Sequence, residues 1–113
     1  MALFLFLVDL WQRFGIALNL DPWYFTAVQA IGFLPADQIA AILRAYGHVV
    51  TGPVCGVTAM TDDGAFQRSV PWIWIAEPDA TCPASQLVYF LAHELEHALR
   101  WIRDGLTVWP GHH

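Results

Sequence analysis

A stretch of helical periodicity near the C-terminus constrains this chain more than any other. From Leu87 to about Arg103 the residues Leu87, Leu91, Leu95, Ala98, Leu99 and Ile102 recur at helical spacing and gather on one side of a wheel. The other side carries His93, Glu94 and His97, an H-E-x-x-H array. At about 100° per residue, His97 lies only about 40° round the axis from His93 and one turn further on, so both imidazoles leave one stripe and can clamp a cation. Glu94 lies about 100° round from His93, beside such a cation, where a carboxylate can take a proton from its bound water. Histidines that face away from an apolar side are expected outside the core. Thr81 or Cys82 is expected to cap this helix, with Pro83 in its first turn and Gly105 as its stop.

A chain of 113 residues reads as one domain large enough to bury a core unaided. It is 57% hydrophobic and only 13% charged, a balance that favours hiding surface by association. The formal charge is −5 and the cations are five scattered Arg with no Lys, so no basic stripe exists to follow a phosphate backbone. Cys55 and Cys82 can make at most one disulfide and form no framework, which leaves a reducing compartment, the cytoplasm, as the default. The opening Ala2–Val8 is apolar but lacks a basic leader, is stopped by Asp9 and is too short to span a bilayer. With Leu10, Trp11, Phe14, Ile16, Ala17 and Leu18 it reads first as a core helix; a homo-oligomer contact and an interfacial helix are the alternatives.

Taken in order, the pattern predicts a helix from Ala2 to about Leu18 and a second from Trp23 to Ile31, opened by Asp21-Pro22 and closed by Gly32. A third starts at Pro35-Ala36-Asp37, repeats Ile39, Ile42, Leu43 and Tyr46 on one face, and ends at Gly47. Beyond it the residues become β-branched. Val49–Thr51 and Val54–Met60 read as short strands, Thr61–Gly64 as a turn, and Val70–Ala76 as a strand covered on both faces. The expected fold is therefore α+β: N-terminal helices over residues 1–47, then a small antiparallel sheet, the H-E-x-x-H helix and a tail over 48–113.

Hydrolytic zinc sites use three protein ligands and keep the fourth position for water. Asp104 shares the His stripe but lies two turns past His97, about 10 Å along the axis. Glu96 points off the clamp, and Glu77 precedes the helix. His112, after Gly105 and Pro110-Gly111, can return to the open end of the site and is the best candidate. Among the remaining residues, His48 reads as a capping or surface residue, Tyr89 as packing or an oxyanion donor, and Arg100 as a structural partner of Asp104.

The run His93-Glu94-Leu95-Glu96-His97-Ala98, followed by Trp101, Asp104-Gly105 and Gly111-His112, resembles the SprT-like zinc metalloproteases, in which H-E-x-x-H-A precedes a G-H pair. Cys55-Gly56, Asp62-Asp63-Gly64 and Ile73–Pro78 are similar to that family's hairpin and the strand before its active helix. The likeness runs from Val54 to His113, about half the chain. It implies a minimal zincin-like domain over residues 1–113, with zinc (Zn2+) held by His93, His97 and His112, Glu94 as general base, and hydrolysis of a protein or peptide by a zinc-activated water. Three features depart from the family pattern: His113 stands where Gly is usual, the 113 residues stop where the family continues into another helix, and the chain is acidic where DNA-linked members are basic. The crosslink-repair role of those members is accordingly not carried over. Two other readings stay open. One is a regulatory zincin of the ImmA/IrrE sort with an acidic third ligand, which Asp104 would have to supply; the other is a non-catalytic accessory or assembly protein, homo-oligomeric through its apolar N-terminal helix, whose metal, if any, is structural and held in a closed four-ligand site.

Overall fold

A computed structural model describes residues 2–28, 30–45, 47–61 and 70–104. Its centre is the strand that the sequence marks as covered on both sides. Alternation along Val70–Ala76 sends Ile73 and Ile75, both fully buried, to one face and Trp72, Trp74 and Ala76 to the other. The remaining elements, in order, are α1 (Ala2–Phe14), α2 (Trp23–Ala27), β1 (Ala30–Leu34), α3 (Ala36–Ala45), β2 (Gly56–Thr61), β3 (Val70–Ala76), a one-turn 3-10 helix (Ala84–Gln86) and α4 (Leu87–Asp104). Among the described residues this makes an α+β fold of four α-helices and one three-stranded sheet, ordered β1-β3-β2.

The sheet is mixed, not antiparallel as expected. β1 runs parallel to β3, with Ile31 opposite Ile73 and Phe33 opposite Ile75, while β2 runs antiparallel to β3, with Thr58 opposite Ile73 and Gly56 opposite Ile75. The difference traces to the segment read as one helix from Trp23 to Ile31. Only Trp23–Ala27 is helical, held at its start by Asp21 Oδ1 accepting from the Trp23 N–H at 2.9 Å; Val28 is extended, and Ala30–Leu34 is a strand. Ile31 and Phe33 recur at the two-residue period of a strand. Gly32, expected to close a helix, sits instead in β1 beside the ring of Trp74.

Smaller shifts have local causes. α1 stops at Phe14 instead of Leu18 because Gly15 takes φ +67°, a left-handed geometry that breaks the helix and lets its N–H donate to Trp11 O at 3.0 Å. Val49–Thr51 forms no strand, and β2 begins at Gly56 rather than Val54. The loop before α4 is capped not by Thr81 or Cys82 but by Asp79, whose Oδ1 accepts from their two backbone N–H groups at 2.8 and 2.7 Å. Tyr46, the turn from Asp62 to Gly64, and the Gly105 stop fall outside the described residues.

Two cores flank the sheet. On the Ile73/Ile75 face, α1 contributes Phe6 and Leu10, and α4 contributes Leu87, Leu91, Leu95 and Ala98. On the other face Ile39 and Leu43 of α3 pack with Val57, Ala76 and Cys82. α1 is thus a core helix on one stripe, Leu3, Phe6 and Leu10, while Phe4, Leu5 and Trp11 stay exposed. Cys55 and Cys82 are bonded to each other, linking the residue before β2 to the loop that enters α4. The sequence left this pairing open, with a reducing compartment as the default. No helix of the described residues is long and apolar enough to cross a membrane.

Candidate metal centre

α4 carries the H-E-x-x-H array through its middle, where helix geometry is most regular. His93 and His97 stand one turn apart, their Nε2 atoms 3.1 Å from each other and their rings nearly perpendicular, at 82°. Two zinc–nitrogen bonds of about 2.05 Å meeting at a tetrahedral angle place their nitrogens about 3.3 Å apart, so this pair already has nearly the bite of a zinc clamp. Without a cation the same approach makes an N–H···N hydrogen bond, one ring donating to the other. A carboxylate oxygen of Glu94 completes the cluster: the three donor atoms lie within 4.8 Å of one another.

The burial of this cluster corrects the sequence reading. His97 is 7% exposed and Glu94 only 2%, so the stripe expected to face solvent is mostly covered, and His93 is its half-buried member. β2 supplies the cover. Because Gly56 and Thr58 share the α4-facing side of that strand, α4 buries its leucines against the centre of the sheet and its Glu94 against the edge strand. The Thr58 hydroxyl donates to Glu94 Oε2 at 2.7 Å, and the backbone carbonyl of Glu94 is 3.0 Å from the same hydroxyl. A Cβ at Gly56 would lie 2.9 Å from Glu94 Cγ, closer than carbon atoms tolerate. The sequence singled out Gly56 only within the hairpin likeness and Thr58 not at all; the one available signal for their joint role was a glycine two positions before a threonine, on one face of a strand next to a cysteine.

Burial pushes the Glu94 carboxyl up from 4.5 to about 7, and the Thr58 hydrogen bond pulls the other way. A carboxyl poised there exchanges a proton near neutral pH, the property a general base requires.

The other candidates separate cleanly. Glu77 is ion-paired with Arg13 of α1 and is not part of the cluster. Glu96 is half exposed and accepts from Arg100 Nε at 3.2 Å, so Arg100 pairs backward along α4 with Glu96; the expected pairing with Asp104 falls on a side chain outside the described residues. Tyr89 is 69% exposed and holds its ring 6.2 Å from that of His93, flanking the histidine and contributing nothing to the core. His48 follows Gly47, and its backbone N–H donates to Leu43 O at 3.1 Å, closing α3 as the sequence suggested. α4 is continuous through Asp104, which keeps that residue's backbone about 10 Å beyond His97. The Asp104 side chain, His112 and His113 lie outside what is described. Comparison of the chain with models of known families, with curated proteins and with solved structures returns no match.

Proposed function

We propose that this protein is a zinc-dependent peptidase of the SprT-like kind. The observation that carries the reading is a carboxyl held near neutral pKa within 4.8 Å of two converging imidazole nitrogens, on one helix in the order His93, Glu94, His97. The donor set of α4 fits the metal, two imidazoles spaced for tetrahedral coordination, and His112 is the third ligand this reading calls for. Zinc, when bound, supplies Lewis acidity, making a water nucleophilic near pH 7 and polarising the scissile carbonyl. Glu94 takes the proton from that water as the new C–O bond forms, and returns it to the departing amine as the C–N bond breaks. An extended peptide has a natural seat along β2, an edge strand paired only with β3 among the described residues.

The continuity of α4 through Asp104 weighs against an acidic third ligand from that residue, and so against the regulatory zincin reading. The disulfide suits an oxidising compartment better than the cytoplasm expected from composition.

One set of variants tests the proposal, with zinc content after mild chelation measured beside hydrolysis of denatured casein. Glu94→Gln is expected to keep its zinc and lose at least a hundredfold in turnover, since it removes a proton acceptor and no ligand. His112→Ala is expected to release zinc while Asp104→Ala retains it. Retention by His112→Ala with loss in Asp104→Ala would restore the acidic-ligand reading. Unchanged turnover in Glu94→Gln excludes Glu94 as the base, and a wild-type protein that takes up no zinc points to the accessory protein.

A further inference from the structure

Gly56 and Thr58 lie outside the H-E-x-x-H array, yet between them they enclose the Glu94 carboxylate on the β2 side. The Thr58 hydroxyl carries a single proton, and the shorter of its two contacts, 2.7 Å, is to Oε2. Two residues earlier on the same strand face, the absent side chain of Gly56 leaves room for the rest of the group: a Cβ there would stand 2.9 Å from Cγ and 3.2 Å from Oε1. One oxygen is tied down and the other is bordered by bare backbone. Such an arrangement fixes which oxygen of the carboxylate is held and which is left for chemistry.

We infer that Thr58 is a positioning residue for the proposed reaction, with Gly56 as its steric counterpart: the Thr58 hydroxyl anchors Oε2 so that Oε1 is the atom that receives and returns the proton. This rests on the metalloprotease reading above. A carboxylate on a two-bond tether from Cβ samples several rotamers when it is not held, and only some of them serve proton transfer; the anchor removes the others before substrate arrives. The competing role for Thr58 is mechanical, tying β2 to α4 through the Glu94 carbonyl 3.0 Å away. The two roles differ in what survives when only the donor is removed.

Thr58→Val keeps the shape of the side chain and loses the donor, whereas Thr58→Ser keeps the donor. The test compares both, and Gly56→Ala, as full-length zinc-loaded proteins, measuring kcat and KM on denatured casein, zinc content, and the side-chain order of Glu94 by methylene relaxation in Glu-labelled protein. Thr58→Val is expected to lose tenfold to a hundredfold in kcat with KM within about twofold, to retain zinc, and to show a disordered Glu94 side chain. Thr58→Ser should recover to within about threefold of wild type, and Gly56→Ala should lose kcat by displacing the carboxylate. Should Thr58→Val keep its kcat and an ordered Glu94, even with lowered thermal stability, the role is mechanical and the inference is wrong while the peptidase reading stands. If zinc-loaded wild type fails to hydrolyse casein at all, the peptidase reading falls and this assignment falls with it, whatever the order measurements give.

Discussion

A carboxyl group 2% exposed is an expensive thing for a small protein to keep, and its cost has a definite pH signature. In the unfolded chain Glu94 titrates near 4.5, in the folded metal-free protein near 7. Below pH 4.5 both states hold the proton and the site costs nothing extra. Between 4.5 and 7 the unfolded state releases its proton first, so stability falls as pH rises; above 7 both states are ionised and the full penalty, roughly 3 kcal/mol, is in place. Metal-free wild type should therefore unfold at a lower temperature at pH 8 than at pH 5, and Glu94→Gln should remove most of that dependence and be the more stable protein at pH 8. Parallel pH profiles for the two proteins in thermal unfolding would show that the buried group titrating in this range is not Glu94. The His93–Glu94–His97 array was legible because a short regular helix fixes the relative angles of its side chains. That Glu94 would be buried was not, since this depends on a strand more than thirty residues away having a glycine and a hydroxyl on the facing side.

Among the elements, those written in a single period were legible in advance. α3 and α4 carry clean helical stripes, and β3 a continuous apolar run, and all three stand where the sequence puts them. The segment from Trp23 to Leu34 holds two elements in twelve residues, too few for either period to establish itself, and its Asp21-Pro22 start and internal Gly32 imitate one helix with both its signals. Parallel pairing of β1 with β3 is a long-range fact that no local pattern encodes. α1 shows a third case: its composition announces burial, but only one stripe is buried. Leu10→Ala, at a fully buried position, is expected to cost about 2–5 kcal/mol in denaturant unfolding, whereas Trp11→Ser, one residue on and 60% exposed, should change stability by no more than about 0.5 kcal/mol. Comparable losses at both positions would mean that the outer stripe is covered in solution, as by a second copy of the chain.

At the scale of the whole molecule, the Cys55–Cys82 bond joins parts of the chain separated by 27 positions, and closing a loop of that length removes about 3.5 kcal/mol worth of freedom from the unfolded chain. Replacing both cysteines by serine should lower the stability by up to that amount, read from the denaturant midpoint at constant slope; an unchanged midpoint would show that the thiols are not joined in solution. Length and composition lead one to expect a buried core, and they leave open whether the only two cysteines meet, because that depends on where β2 lies in the sheet. The bond also determines how the molecule would come apart. His93, Glu94 and His97 follow Cys82 in the chain, whereas Gly56 and Thr58 precede it, so any single break of the backbone between Thr58 and Cys82 divides the enclosing strand from the residues it encloses. The severed pieces nevertheless remain one covalent body, fastened within one residue of Gly56, and separate only when the sulfur bridge is reduced. A chain nicked there would migrate as two bands under reducing conditions and as one without reductant, with the strand still tethered beside the helix it covers.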